Sequence, residues 1–149
     1  MTTYIKADAF YYPHHVEKGG YLEIIDEQFG DWVPQVSKQD KVIDYSGYSL
    51  APGLVDTHIH GYGGADVMDN RPESLETISR GLLETGVTSF LPTTLTSSFE
   101  ALNAVCHTTA TFAGQETGAR IQGLYFEGPY FTEKYKGAQN PSYMHDPSI

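Results

Sequence analysis

Beyond residue 53, the chain alternates between segments with strand-like and helix-like hydrophobic patterns. Apolar runs predict strands over Leu54–His60, Val87–Thr94 and Ile121–Glu127. Between them, apolar residues recur at helical spacing from Pro72 to Glu84, and again from Ser97, where a capping-box spacing begins, to about Gly114. Strands that alternate with helices of this length form parallel β/α units. The order β-α-β-α-β therefore constrains this part of the chain to an α/β fold.

The first 53 residues follow a different pattern, with short β-type segments and no helical period. Strands are predicted over Tyr4–Tyr12, Tyr21–Gln28 and Lys41–Tyr48, and the last two are rich in Ile, Val and Tyr. We expect a small antiparallel β domain over residues 1–53, followed by the β/α units over residues 54–149. The turn signals that separate the strands are Gly19-Gly20, Gly30-Asp31 and Gly47.

Three strands and two helices are too few to close a barrel. Because a full (β/α)₈ barrel takes about 250 residues, we expect these to be its first units, in a protein that continues past Ile149. The alternative is a complete small α/β domain of three strands. Its parallel sheet would need helices on both faces.

Charge and composition exclude several classes of partner. The chain has 19 acidic and 9 basic residues, a net charge of -10, which is the wrong sign for nucleic acid or an anionic membrane surface. No apolar segment has the length of a membrane span and no secretory leader opens the chain, so we expect a cytoplasmic protein. The only cysteine, Cys106, lies in a helical apolar pattern, which predicts core packing rather than nucleophilic chemistry.

Two histidines and one glutamate are candidate metal ligands. His58 and His60 are two residues apart on a predicted strand, so both rings project from one face, about 7 Å apart along it. Neutral imidazole is a common ligand of zinc and similar ions, although two hydrogen-bonded strand histidines would give the same pattern. Glu127 ends an apolar strand, where a carboxylate is either bound by a metal or hydrogen-bond network, or is simply the first exposed loop residue.

Several segments resemble a known enzyme family. Residues 51–60, Ala-Pro-Gly-Leu-Val-Asp-Thr-His-Ile-His, resemble the entry strand of the amidohydrolase superfamily. The segments that follow are similar, in order and spacing, to the N-acetylglucosamine-6-phosphate deacetylase family. They are Gly61–Asp69, Gly86–Thr94, Phe126–Phe131 and Lys136–Pro141. The resemblance covers residues 51–143, whereas the first fifty residues match only the general form of the family's small β-sandwich domain.

This resemblance implies a metal-dependent deacetylase that acts on a sugar phosphate as a homodimer. Glu127 matches a direct metal ligand, and His58 and His60 match positions that hold a second ion in members with two. One or two divalent ions, zinc or iron, are therefore expected. Sugar contacts are expected from the segment Ala138, Gln139 and Asn140. Many members have histidine in place of Gln139, and an amide cannot become a cation.

The family's remaining catalytic groups are expected outside this chain. They are the catalytic Asp late in the barrel, two further His ligands and most phosphate contacts, so residues 1–149 alone are expected to be inactive. Two alternatives remain at the level of sequence. One is another amidohydrolase that acts on cyclic amides. The other is a non-catalytic binding or structural module, in which His58 and His60 serve packing or a structural metal.

Overall fold

The structure is a computed structural model that describes residues 2–147. Contacts between Cα atoms divide the chain into two compact units, with the division between Pro52 and Gly53. At this point the sequence changes from short strands to alternating strands and helices.

The amino-terminal unit is a five-stranded sheet organised around its first strand. Strand β1 pairs antiparallel with β2 and β3, and parallel with β5, while β4 pairs antiparallel with β3. Among residues 2–52, the buried apolar side chains are those of Ala7 and Phe10, both on β1. The strands are β1 (Thr3–Tyr11), β2 (Val16–Lys18), β3 (Tyr21–Ile25), β4 (Gln28–Val33) and β5 (Lys41–Leu50).

The sheet differs from the predicted antiparallel unit in three ways. The β1–β5 pair is parallel. The turn between β3 and β4 is made by Asp26 and Glu27, both with positive φ, and the predicted turn at Gly30-Asp31 lies inside β4. Two consecutive residues with positive φ match the twist of a tight hairpin. Gly47, at a φ of 89°, lies within β5 rather than ending it, near an irregularity in the β1–β5 register.

The second unit is built around strand β9, which pairs parallel with β6, β10 and β11. Ser89 of β9 pairs with both β6 and β10, so these two strands lie on opposite edges of β9. A hairpin of β7 and β8 follows β6. The elements are β6 (Leu54–Ile59), β7 (Gly61–Tyr62), β8 (Ala65–Asp66), α1 (Pro72–Leu83), β9 (Val87–Thr94), α2 (Phe99–Phe112), β10 (Arg120–Ile121) and β11 (Tyr125–Phe126), with short 3₁₀ turns at Val67–Asp69, Glu133–Tyr135 and Pro141–Tyr143.

Helices α1 and α2 pack around β9 to form the core of this unit. Helix α1 begins with Pro72, whose fixed φ suits a first helical position. Ile78 of α1 and Phe90 of β9 are fully buried. In the part of the chain that the structure describes, no helix is both long and apolar enough to cross a membrane. The other buried residues of the cluster that contains Ile78 and Phe90 are Val67, Leu75, Leu82, Val87, Val105, Ala119 and Ile121.

Three local features of this unit differ from the sequence prediction. The predicted strand Ile121–Glu127 is interrupted and becomes β10 and β11. Helix α2 is capped by Ser98, whose hydroxyl accepts from the N–H of Ala101, rather than by Ser97. Cys106 is exposed, because its neighbour Val105 occupies the buried face of the helix and one residue turns the helix by about 100°.

Candidate metal centre

The three predicted metal ligands lie at the carboxyl ends of neighbouring parallel strands. His58 is the second-last residue of β6, and His60 directly follows that strand. Glu127 directly follows β11. Both strands pair with β9. Parallel strands bring their carboxyl ends to the same edge of a sheet, so residues that are 69 positions apart meet there.

The ligand atoms of the three side chains converge on one point. Oε2 of Glu127 lies 3.1 Å from Nε2 of His58 and 2.8 Å from Nε2 of His60. The two histidine Nε2 atoms are 3.3 Å apart, far closer than the spacing of the two residues along the strand, and the planes of the two rings make an angle of 72°. The side chains keep 47%, 34% and 26% of their surface exposed for His58, His60 and Glu127, respectively, so solvent reaches the cluster.

These separations suit a divalent transition-metal ion. Bonds of about 2.0–2.2 Å at tetrahedral or octahedral angles place ligand atoms about 2.8–3.6 Å apart, and the three observed separations, 2.8, 3.1 and 3.3 Å, fall in that range. Two imidazole nitrogens and one carboxylate oxygen form a donor set that zinc and ferrous iron accept. Three protein ligands beside solvent would leave a position open, as catalytic metal sites require.

The ring of His60 is held in one tautomer by the backbone of β9. Its Nδ1 lies 3.1 Å from the carbonyl oxygen of Thr93. A carbonyl can only accept a hydrogen bond, so Nδ1 carries the proton and donates it. In the neutral ring this leaves the lone pair on Nε2, the atom that faces Glu127. The ring therefore turns Nε2, the nitrogen with the free lone pair, towards Glu127 and His58.

The backbone around His58 is held by side chains in place of regular strand pairing. The β6–β9 register is interrupted between Asp56 and Ile59. Over this interval, the carboxylate of Asp56 accepts from the N–H of His58 at 3.0 Å, and the hydroxyl of Thr93 accepts from the N–H of Ile59 at 3.0 Å. Neither residue was predicted as functional. The sequence feature that could have indicated Thr93 is the pair of hydroxyl residues, Thr93 and Thr94, at the end of an apolar strand.

Glu127 is positioned by a close approach between its loop and Thr96. The Thr96 hydroxyl donates to the carbonyl oxygen of Glu127 at 3.3 Å. Gly128 has a φ of 97°, and a Cβ at this residue would collide with the Thr96 hydroxyl. Only glycine meets both conditions without strain, so Gly128 lets the loop turn sharply after the carboxylate.

The predicted sugar-binding segment is joined to the same loop. Gln139 is buried, and its side-chain oxygen accepts from the backbone N–H of Thr96 at 2.8 Å. Ala138 is exposed. Asn140 is also exposed, and its side chain caps the 3₁₀ turn Pro141–Tyr143 by accepting from the N–H of Ser142. Thr96 is thus hydrogen-bonded both to Gln139 of this segment and to the backbone of Glu127.

Curated proteins similar to this chain include deacetylases of amino-sugar phosphates, which confirms the family resemblance seen in the sequence. The chain is 36% identical, over 135 residues, to an N-acetylglucosamine-6-phosphate deacetylase of Vibrio furnissii, covering 90% of this chain and 32% of that protein. It is 39% identical, over 101 residues, to an N-acetylgalactosamine-6-phosphate deacetylase of Escherichia coli O157:H7, covering 67% of this chain and 27% of that protein. No protein-family model matches.

A solved structure extends the similarity to the fold. An N-acetylglucosamine-6-phosphate deacetylase from Pasteurella multocida superposes with a TM-score of 0.84 at 26% identity, covering 99% of this chain and 40% of that chain. The backbone fold of this chain is therefore similar to that of part of a deacetylase. The chain spans about a third of the length of the curated relatives it matches.

Proposed function

We propose that this chain is the amino-terminal part of an N-acetylglucosamine-6-phosphate deacetylase. The intact enzyme would hydrolyse the acetamide of its substrate. Water adds across the C–N bond, and acetate and the free amine of glucosamine 6-phosphate are released. The observation that carries the proposal is the convergence of His58, His60 and Glu127 within 3.3 Å of one another, in a chain similar to enzymes of this name.

The three residues would hold one or two divalent ions, zinc or iron. A bound ion of this kind lowers the pKa of water to about 7 and polarises the amide carbonyl. His60 would present Nε2 because its Nδ1–H is held by the Thr93 carbonyl. Glu127 would contribute the negative charge that offsets the cation. The exposed face of His58 leaves room for substrate to approach.

The remaining parts of the proposal concern the intact protein. Residues 1–53 would belong to a small β-sandwich domain, and residues 54–149 would form the first strands and helices of a (β/α)₈ barrel. The segment Ala138, Gln139 and Asn140 would contact the sugar. The catalytic Asp, further His ligands and most phosphate contacts would lie in other parts of a cytoplasmic homodimer.

Turnover by the intact protein tests the function. We expect acetate release from N-acetylglucosamine 6-phosphate, its loss on treatment with a chelator, and its recovery on addition of zinc or ferrous ion. Residues 1–149 alone should release none. Activity only on a cyclic amide would contradict the proposal in favour of another amidohydrolase. Absence of activity on all these substrates, with the metal bound, would favour a non-catalytic module.

A second substrate is supported by the relatives. The Escherichia coli protein that is 39% identical to this chain acts, by its name, on N-acetylgalactosamine 6-phosphate. The two sugars differ in the orientation of one hydroxyl group. Comparing kcat/KM for both sugar phosphates would decide between them, and a higher value for the galactosamine derivative would reassign the substrate without changing the chemistry.

A further inference from the structure

We propose that Thr93 is the positioning residue of the metal centre, because its hydroxyl and its carbonyl together fix the strand end that carries His60. Its relevance to metal binding rests on the function proposed above, whereas its effect on the His60 ring does not. Thr93 is fully buried at the end of β9. It touches neither Glu127 nor His58 in any hydrogen bond described above and would act through His60.

The hydroxyl of Thr93 acts both as a hydrogen-bond donor and as a hydrogen-bond acceptor. It donates its proton to the carbonyl of Leu91 at 3.1 Å and accepts from the N–H of Ile59 at 3.0 Å. Because the single proton is committed to Leu91, a lone pair is turned towards Ile59. The hydroxyl thereby supplies an acceptor in the interval where the β6–β9 register is interrupted.

The carbonyl of Thr93 holds His60, the residue that directly follows β6. It accepts from Nδ1 of His60 at 3.1 Å, so one residue of β9 fixes the peptide of Ile59 and the ring of His60. Two consecutive points of attachment leave the His60 backbone and its ring little freedom to rotate independently. The partner of a histidine's second nitrogen sets which nitrogen is available to a metal.

Thr94 provides a matched control. It follows Thr93 directly and is also fully buried, but its hydroxyl has no hydrogen-bond partner among the described residues. Thr93→Val and Thr94→Val each replace one buried hydroxyl by a methyl group of similar shape. Only the first removes the acceptor of the Ile59 N–H, so a difference between the two variants reports the positioning role rather than the change in polarity. Thr93→Ser restores the hydroxyl.

The experiment uses the intact protein in two states. Nitrogen-15 NMR of histidine-labelled, metal-free protein at alkaline pH gives the tautomer of His60, whose signal is assigned by its loss in His60→Ala. In the wild type, Thr93→Ser and Thr94→Val, we expect a proton on Nδ1. In Thr93→Val, we expect the signals to shift towards a mixture of the two tautomers. Competition with a chromophoric chelator then gives the Kd for Zn²⁺.

We expect the Kd for Zn²⁺ of Thr93→Val to rise about tenfold, the lower end of what loss of an outer-shell contact causes, and that of Thr94→Val to stay near the wild-type value. A Thr93→Val protein that matches Thr94→Val in both measurements would overturn the proposal. So would a wild-type His60 with its proton on Nε2, a result that needs no variant to fold. If the wild type releases no acetate while Thr93→Val shows the tautomer shift, the proposed function is rejected and the positioning role is retained.

Discussion

Gln139 and Thr96 are 43 residues apart in the chain, and the side-chain oxygen of the first accepts a hydrogen bond from the backbone N–H of the second in the interior of the protein. The bond ties the segment after β11 to the loop after β9. A glutamine that the family resemblance assigns to sugar contact thus has a structural partner as well.

Replacing Gln139 by alanine should destabilise the fold. The substitution leaves the buried N–H of Thr96 without its acceptor, which costs about 1–3 kcal/mol. Urea denaturation of the purified protein would measure the change in the free energy of unfolding. Gln122→Ala, at an exposed residue of the same unit, should change it by about 0.5 kcal/mol or less. Equal effects of the two substitutions would show that the Gln139–Thr96 bond contributes nothing.

Replacing Glu127 by glutamine should weaken metal binding. The amide keeps the size of the side chain but loses the negative charge and one strong acceptor. Because loss of an outer-shell partner alone costs 10–100-fold, we expect loss of a direct ligand to raise the Kd for Zn²⁺ by at least about tenfold. Chelator competition on the intact protein would measure it. Glu133→Gln, at an exposed glutamate in the same loop region, should leave the Kd unchanged, and an unchanged Kd in Glu127→Gln would refute ligation.

Asp69 should make stability depend on pH in the acid range. The backbone N–H of Asp66, followed by the hydroxyl of Ser74, donates to its carboxylate and lowers the pKa below the ordinary 3.8. A lowered folded-state pKa stabilises the protein above the unfolded value, and this contribution is lost as the pH falls through the folded one. Asp69→Asn should therefore destabilise the protein at pH near 6 and much less near pH 2.

Urea denaturation at the two pH values would test the Asp69 prediction. The difference in unfolding free energy between wild type and Asp69→Asn should shrink on acidification. Asp146→Asn, at an exposed aspartate, should show no such change. A constant difference across the range would mean that Asp69 acts through packing rather than charge.

Gly118 should not tolerate a side chain, although its φ is not in the left-handed region. A Cβ there would collide with backbone atoms of Ser79 and Arg80 on α1. The same approach lets Ser79 bond to the loop before β10, where its hydroxyl donates to the carbonyl of Ala119 at 2.8 Å. We expect Gly118→Ala to cost about 1–3 kcal/mol, as overpacking does. Gly123→Ala, whose Cβ would meet only a Leu91 methyl group at 3.4 Å, should be tolerated, so equal unfolding midpoints would contradict the clash.

The β/α unit could be predicted from the sequence because its hydrophobic periods are strong. The predicted bounds of β9, Val87–Thr94, are those of the structure, and Pro72 begins α1 as expected. The amino-terminal sheet could be predicted less well. The turn at Asp26-Glu27 contains no glycine, so the sequence carries no clear turn signal there. The parallel pairing of β1 with β5 joins strands about 38 residues apart, and a local sequence pattern does not determine such pairing.

The candidate centre was predictable only in part, and for a physical reason. His58 and His60 form a local pattern, but the meeting of Glu127 with them depends on how β6 and β11 pair with β9. Thr93 and Asp56 act through single hydrogen bonds at an interruption in the ladder. Such irregularities depend on the three-dimensional register rather than on the hydrophobic pattern.

Thr96 has both of its donors committed, the amide to Gln139 and the hydroxyl to the carbonyl of Glu127. The loop that contains Thr96 therefore connects the segment proposed to contact the sugar with the residue whose carboxylate is proposed to bind the metal. A ligand that displaces residues 138–140 would pull on Thr96 and, through it, on the peptide that carries Glu127. Attempts to redesign sugar selectivity in that segment should therefore alter metal affinity as a side effect.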